Sequence, residues 1–200
     1  MRPEEIARGL WRWTAPHPEW VPGATPGSSA DWPQEVGCVL LQTEREAIFI
    51  DALPGEDERA FWRWADERCA ARRVLALTTL AFHRRAREQL AARYGASTSR
   101  AKRNLPATVC PIQLRGAGET VFWLGEQRTL VPGDRLLGAD GGGLRICPAS
   151  WLRYLPSGIG VEDLRELLRP LLDLPIERVL VSHGEPVLTD GCRALAEALE

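Results

Sequence analysis

The chain has 200 residues, enough for one domain with a sizeable buried core and too few for two comfortable domains. Its composition, 44% apolar and 26% charged, is that of a globular protein and excludes long disordered segments. The net charge of −2 gives no electrostatic reason to expect nucleic acid or an anionic membrane as a partner. No stretch approaches about 18 consecutive apolar residues, and the N-terminus lacks the apolar centre of a signal peptide. We therefore predict no transmembrane helix and a cytoplasmic location.

The first half of the chain alternates between strands and helices. Residues 1–35 hold many of the prolines and four tryptophans, which predicts an N-terminal extension, irregular or built of edge strands, before a domain over 36–200. The segments "CVLLQT" and "AIFID" are predicted strands, and Asp51 ends the second before a Pro-Gly turn. An amphipathic helix follows in "EDERAFWRWADERCAARR", then a strand in "VLALTT" and a helix in "RRAREQLAARYG" that Gly95 ends.

The second half begins with a meander of short strands. These are "ATVCPIQL", "ETVFWLG", "QRTLVPG", "DRLLG" and "GLRICP", separated by Gly or Pro turns. A helix that Pro170 bends or divides, a strand in "ERVLVSH" and a final helix in "DGCRALAEALE" complete the chain. Two strand-rich halves, each flanked by helices, predict an α/β (α+β) fold organised as a four-layer αββα sandwich.

The absence of several sequence motifs argues against the kinds of chemistry that depend on them. There is no P-loop, no complete G-x-G-x-x-G between a strand and a helix, and no G-x-S-x-G nucleophile elbow. Five cysteines that never form C-x-x-C predict neither a disulfide framework nor a zinc knuckle. Schiff-base chemistry would depend on the single lysine, Lys102, in a segment that has the composition of an exposed loop.

Three polar side chains stand at or beside the ends of apolar strands: His83, Asp134 and His183. Loops at strand ends converge in α/β folds, and two imidazoles with a carboxylate are sufficient for a metal ion with open positions. Each residue also has a purely structural interpretation. His83 would then be exposed in the first turn of a helix, and Asp134 would cap backbone amides in its P-G-D turn. Gly184 after His183 permits a tight turn, which favours a functional role for that histidine.

Four segments, taken in order, resemble the metallo-β-lactamase-fold superfamily over about residues 36–200. They are "FIDAL", "LALTTLAFHRR", "PGDRLL" and "VLVSHGEP". The resemblance implies the αββα sandwich. It also implies that Asp134 matches the position that bridges two metal ions and that His183 matches the last metal ligand.

The central motif of that superfamily is eroded in this chain. Aligned without a gap on L-T-H-x-H-x-D-H, "LTTLAFHR" places Thr79 and Ala81 at the two leading histidines, His83 at the aspartate and Arg84 at the closing histidine. The segment "IQLRGAGETVFWL" has no histidine where the superfamily has another. The resemblance therefore implies a divergent member that has lost its first metal site.

A second site remains as a hypothesis, with His83, Asp134 and His183 as metal ligands. The other pocket residues implied by the alignment are Thr79, Arg84 and Asp51. Because a guanidinium near a cation raises the electrostatic cost of holding it, we expect either no cofactor or one divalent ion (zinc, iron or manganese) at low occupancy.

Two functional hypotheses follow from this resemblance and its candidate residues. The first is a protein that kept the fold after losing most of a dinuclear site, without standard dinuclear hydrolase activity, and that binds a small molecule or a protein partner. The alternative is a mononuclear metal-dependent hydrolase that uses His83, Asp134 and His183. Neither hypothesis involves nucleic acid or a membrane as a partner, and both are compatible with an oligomer.

Overall fold

A computed structural model describes residues 2–98 and 105–200, so Lys102 lies outside the described residues. The first sheet has five strands in the order β1-β2-β3-β4-β5. Their bounds are Glu4–Ala7 for β1, Leu10–Pro16 for β2, Glu35–Gln42 for β3, Glu46–Ile50 for β4 and Arg73–Leu77 for β5. Neighbouring strands are antiparallel except for β4 and β5, which are parallel. This parallel pair brings the residues after both strands to one edge of the sheet.

The second half forms a four-stranded sheet and a separate hairpin. Their strands are β6 (Val109–Leu114), β7 (Glu119–Leu124), β8 (Thr129–Val131), β9 (Leu136–Ala139), β10 (Gly143–Ile146) and β11 (Arg178–Val179). The sheet has the order β11-β8-β7-β6, and β9 pairs with β10. Strand β11 is shorter than the predicted "ERVLVSH" because the following residues bond elsewhere: Ser182 O accepts from Gly37 N of β3, and His183 O accepts from Gly138 N of β9.

Four α-helices flank the sheets: α1 (Glu58–Cys69), α2 (Arg87–Tyr94), α3 (Val161–Leu168) and α4 (Gly191–Ala198). The carboxylate of Asp57 caps α1 by accepting from Ala60 N, and Gly95 ends α2 in the left-handed conformation, as predicted. The chain continues from α3 as a 3-10 helix over Arg169–Asp173 because Pro170 cannot donate the next helical hydrogen bond. No helix in the described ranges is both long enough and apolar enough to cross a membrane.

Three apolar clusters separate the layers. Side chains of both sheets meet in the middle cluster, for example Ile48 and Leu75 of the first sheet with Phe122 and Leu124 of the second. The outer face of the first sheet packs on α1 and α2 through residues such as Phe61. The four-stranded sheet and the hairpin pack on α3 and α4 in a third cluster. The predicted four-layer αββα sandwich is therefore confirmed.

The N-terminal segment contributes two strands to the first sheet. Strand β2 pairs with β3 along its whole length, and Trp13 is buried against α1. Residues 17–34 contain no helix or strand, and His17 N donates to Gln34 O, which ties the two ends of this loop together. The predicted boundary between 1–35 and 36–200 stays a prediction, although sheet pairing crosses it.

The segment that carries His183 is held by close backbone contacts. A Cβ atom on Gly138 would lie 2.1 Å from Glu185 O, and Gly184, with φ of 86°, would place one 2.5 Å from Gly138 O. Only glycine at these two positions lets β9 approach the turn after His183.

Gly138→Ala should lower the free energy of unfolding by about 1–3 kcal/mol because the new methyl group must displace the backbone of Glu185. Gly143→Ala is the matched control in the same hairpin, since its Cβ would meet only Ala139 Cβ at 3.8 Å. We expect this control to be neutral or slightly stabilising. Urea denaturation of both variants measures the difference, and equal stabilities would contradict the close approach.

Candidate functional site

The strand ends converge on a cavity of about 340 Å³ at one edge of the two sheets. His83, Arg85, Asp134 and His183 form its base, and the loop over 17–34 forms part of its wall. The loop after β5 supplies His83, the turn between β8 and β9 supplies Asp134, and the segment after β11 supplies His183. The three predicted residues therefore come together although they are distant in the chain.

His83 lies between two carboxylates and is only 6% exposed. Its Nδ1 atom is 3.0 Å from Asp51 Oδ2, and its Nε2 atom is 3.2 Å from Asp134 Oδ1. Thr79 fixes the first carboxylate: its N–H donates to Asp51 Oδ1 at 3.0 Å, and its hydroxyl donates to Asp51 Oδ2. The exposed helical position considered for His83 is therefore not what the structure shows.

These contacts favour the charged form of each partner. Burial alone would lower the pKa of His83, but Asp134 and Asp51 raise it to about 9. Burial would raise the pKa of Asp134, yet the imidazoles of His83 and His183 hold it well below its usual range. The pKa of Asp51 is lowered as well, against the effect of burial, chiefly by His83 and then by Arg85. The base of the cavity thus contains an imidazolium between two carboxylates.

His183 completes the base from the other side of Asp134. Its Nε2 atom is 3.4 Å from Asp134 Oδ1. Its ring lies between Trp32 and Trp151, with 5.6 Å between the ring centroids in each case and with edge-to-face geometry. Aromatic packing therefore fixes the plane of this imidazole.

The structure places Arg85, and not Arg84, at the site. Arg84 is exposed and does not line the cavity. Arg85 has φ of 40°, which directs its side chain inward, where Nη1 donates to Gly37 O and Asp51 O and Nη2 donates to Ser182 Oγ. Alignment in sequence could not separate two adjacent arginines in a loop, because the choice depends on an uncommon backbone conformation.

Glu119 is a buried carboxyl group that sequence reasoning missed. Its two carboxylate oxygens accept from Gly133 N and Arg135 N, both at 3.0 Å, and burial raises its pKa to about 7. The amide-capping role considered for Asp134 thus belongs to Glu119, and the carboxylate of Asp134 faces the imidazoles instead. The available signal was a carboxylate at the start of the apolar strand "ETVFWL".

The metal site predicted from the sequence depends on three side chains at the base of the cavity. Within residues 2–98 and 105–200, no group of three or more His, Cys, Asp or Glu side chains is arranged to hold a metal ion. His83, Asp134 and His183 are close, but they contact one another directly. A histidine ligand must present an unprotonated nitrogen, whereas both nitrogens of His83 face carboxylate oxygens that stabilise a proton on each. As placed, His83 does not fit the role of a metal ligand.

Comparison with known proteins gives structural matches only. No protein-family model matches the chain, and no curated protein matches it. The metallo-β-lactamase from Erythrobacter litoralis, solved with β-mercaptoethanol in its active site, is 14% identical, with a TM-score of 0.61 over 98% of this chain and 95% of that one. TMB-1 is 14% identical, with a TM-score of 0.56 over 100% of this chain and 98% of its own.

A third solved structure is FIM-1 from Pseudomonas aeruginosa in its mono-zinc form. It is 11% identical, with a TM-score of 0.58 over 99% of this chain and 94% of that one. All three matches cover nearly the whole of both chains, so the likeness extends across both sheets and their flanking helices. The fold implied by the sequence resemblance is confirmed: the chain has the metallo-β-lactamase fold.

Proposed function

We propose that this protein binds a small molecule in the cavity above His83, Asp134 and His183 without a resident metal ion, and that it lacks dinuclear hydrolase activity. The observation that carries the proposal is the position of His83, with one carboxylate at each ring nitrogen. An internal cation, the imidazolium, then supplies the positive charge that a metal ion would otherwise supply to Asp134.

The energetic argument concerns the proton on His83. A metal ion can use this imidazole only after the proton has left. With a pKa of about 9, removing it at pH 7 costs about 3 kcal/mol before any metal–ligand bond is gained. Arg85 adds a second positive charge to the base of the cavity, which opposes a divalent cation further.

The cavity itself has the properties of a small-molecule site. Its volume of about 340 Å³ lies at the lower end of the range for ligand pockets. Its walls include Trp32, Phe82, Trp151 and Tyr154, while a few polar groups gather at the base. Apolar walls with convergent polar groups are the usual composition of a site that orients one small ligand.

The alternative is a mononuclear metal-dependent hydrolase with His83, Asp134 and His183 as ligands. It is favoured by one observation: both Nε2 atoms lie within 3.4 Å of the same oxygen, Asp134 Oδ1. In addition, Asp51 on Nδ1 of His83 resembles the carboxylate that commonly supports a metal-bound histidine. FIM-1, solved in a mono-zinc form, shows that one protein of this fold holds a single zinc ion.

The imidazole resonances of His83 should titrate with a pKa near 9, since burial is outweighed by two carboxylates. This raised pKa makes the contribution of His83 to stability complete below about pH 6.5, and that contribution is lost as pH rises through about 9. The protein has three histidines, which makes the NMR assignment direct. Asp51→Asn should lower the pKa of His83 by about one to three pH units.

The control for this titration is Asp173→Asn, which removes an exposed carboxylate outside the cavity. It should leave the pKa of His83 unchanged. A wild-type pKa below about 7 would mean that the carboxylates do not outweigh burial.

Protein purified without added metal should carry well under one equivalent of zinc, iron or manganese, because the imidazolium of His83 opposes ligation. Elemental analysis of the wild type, His183→Ala and His17→Ala decides between the two functions. One equivalent in the wild type that is retained in His17→Ala and lost in His183→Ala would establish the mononuclear site and exclude our proposal. His17 is the matched control because it lines the same cavity at its wall.

A further inference from the structure

The cavity is lined mainly by rings. Of the eleven described side chains around it, seven carry an aromatic or an imidazole ring. These rings form two rows that meet at Asp134, whose Oδ1 lies 3.2 Å from Nε2 of His83 and 3.4 Å from Nε2 of His183. The plane of each ring is the same whether or not its nitrogens carry protons. The two rows are therefore a feature of shape, and they flank the space above Asp134 on two sides.

The outer row consists of Tyr154, Phe82 and His83. The ring centroids of Tyr154 and Phe82 are 6.4 Å apart with an interplanar angle of 72°, and those of Phe82 and His83 are 5.1 Å apart with an angle of 88°. Tyr154 is held in place by Arg135, whose Nη2 donates to its hydroxyl at 2.9 Å. Phe82 and Tyr154 are 57% and 53% exposed, so the outer row presents two neighbouring aromatic rings to solvent at the mouth of the cavity.

The inner row consists of His17, Trp32, His183 and Trp151. The rings of His17 and Trp32 are 5.1 Å apart between centroids and perpendicular to each other. Trp32 and Trp151 each contact the ring of His183 edge to face at 5.6 Å. Trp151 is buried, and its Nε1 donates to Ser28 O at 3.2 Å, which fixes the end of the row. The inner row is thus a set of rings that already has its orientation before a ligand enters.

Both rows can be extended by one more ring. Aromatic rings prefer edge-to-face or offset-stacked neighbours with centroids about 4.5–7 Å apart, which is the geometry that the rings within each row already have. The cavity volume of about 340 Å³ is roughly twice the 150 Å³ that is enough to hold benzene. A flat ring therefore fits in the space between the rows. Exposed apolar rings that adjoin such a space commonly mark the place where a ligand binds.

From this arrangement we infer that the ligand of the cavity is a flat aromatic molecule whose ring lies between the outer and inner rows. The inference rests on the proposed function, because it needs the cavity to take an organic molecule. Ring packing of this kind stabilises an aromatic pair beyond the burial of its apolar surface. The cavity should therefore distinguish an aromatic ring from a saturated ring of similar size.

Two uncharged probes that differ only in the type of ring test the inference: benzyl alcohol and cyclohexylmethanol. Their dissociation constants are measured on the full, chelator-treated chain at pH 7 from shifts of the His183 and Trp151 resonances. We expect benzyl alcohol to bind about three- to tenfold more tightly. Burial of apolar surface alone would favour cyclohexylmethanol, because its saturated ring has more of that surface. Equal or tighter binding of cyclohexylmethanol would therefore overturn the inference while leaving a metal-independent small-molecule pocket in place.

Variants of Phe82 test the contribution of the outer row. Phe82→Leu keeps an apolar side chain at this exposed position but removes the ring, so it should weaken benzyl alcohol by about threefold and leave cyclohexylmethanol almost unchanged. Phe82→Tyr is the matched control, because it restores a ring and should restore the preference for benzyl alcohol. If Phe82→Leu weakens both probes equally, or if it keeps the full preference, ring packing in the outer row does not select the ligand and the inference fails.

Failure of the proposed function has a different signature. If neither probe shifts the His183 and Trp151 resonances at concentrations on the order of tens of millimolar, the cavity does not take small organic molecules, and both proposals are overturned. Binding without a preference for the aromatic ring overturns only the inference about the ligand.

Discussion

The contact between His83 and its two carboxylates joins the halves of the sandwich at the site. Asp51 follows β4 of the first sheet, and Asp134 follows β8 of the second. One buried imidazole within 3.2 Å of both therefore connects the sheets electrostatically at the edge where their strands end. Removing one member of a buried ion pair commonly costs about 3–5 kcal/mol, because the remaining charge loses its partner in a place that water does not reach. The geometry of the cavity base depends on this set of charges.

Backbone contacts make that arrangement rigid. The segment after β11 bonds to the first sheet at Gly37 and to the hairpin at Gly138, so His183 is held by both halves. Glu119 holds the turn that carries Asp134 by accepting from its neighbouring amides. The N-terminal loop is fixed against the cavity: Trp151 Nε1 donates to Ser28 O, and Trp32 packs on His183. Residues that are distant in the chain are thus linked at the site by hydrogen bonds and by ring packing.

Most of the fold could be predicted from the sequence, because local sequence features determine where most helices and strands begin and end. Apolar periodicity marked α1 and the strands, and Gly95 and Pro170 marked helix ends at the positions where the structure has them. His83, Asp134 and His183 were found because polar residues after apolar strands gather at one edge. The pairing of sheet edges also explains why Trp13 belongs to the core, although the proline-rich residues around it suggested an extension.

The direction of side chains in loops could not be predicted from the sequence. Arg85 enters the site through a positive φ that a non-glycine residue seldom adopts, so nothing in "FHRRAR" distinguishes it from Arg84. Glu119 lies at the start of a strand, where a carboxylate is expected to be exposed. It is buried where the loop after β5 pairs with the start of β7 through a β-bridge between Leu80 and Glu119. Both misses involve tertiary contacts between segments that are distant in the chain.

The alignment nevertheless led to the central physical feature of the site. It placed His83 where the superfamily motif that this sequence resembles has an aspartate, so a group that can carry positive charge stands in place of an anionic one. Two neighbouring carboxylates, Asp51 and Asp134, remain in the structure and now face that histidine. Carboxylates gathered at a strand edge require a cation for stability, whether a metal ion or a proton on an imidazole. A histidine at this position therefore supplies, as a protonated imidazole, the positive charge that the two carboxylates require.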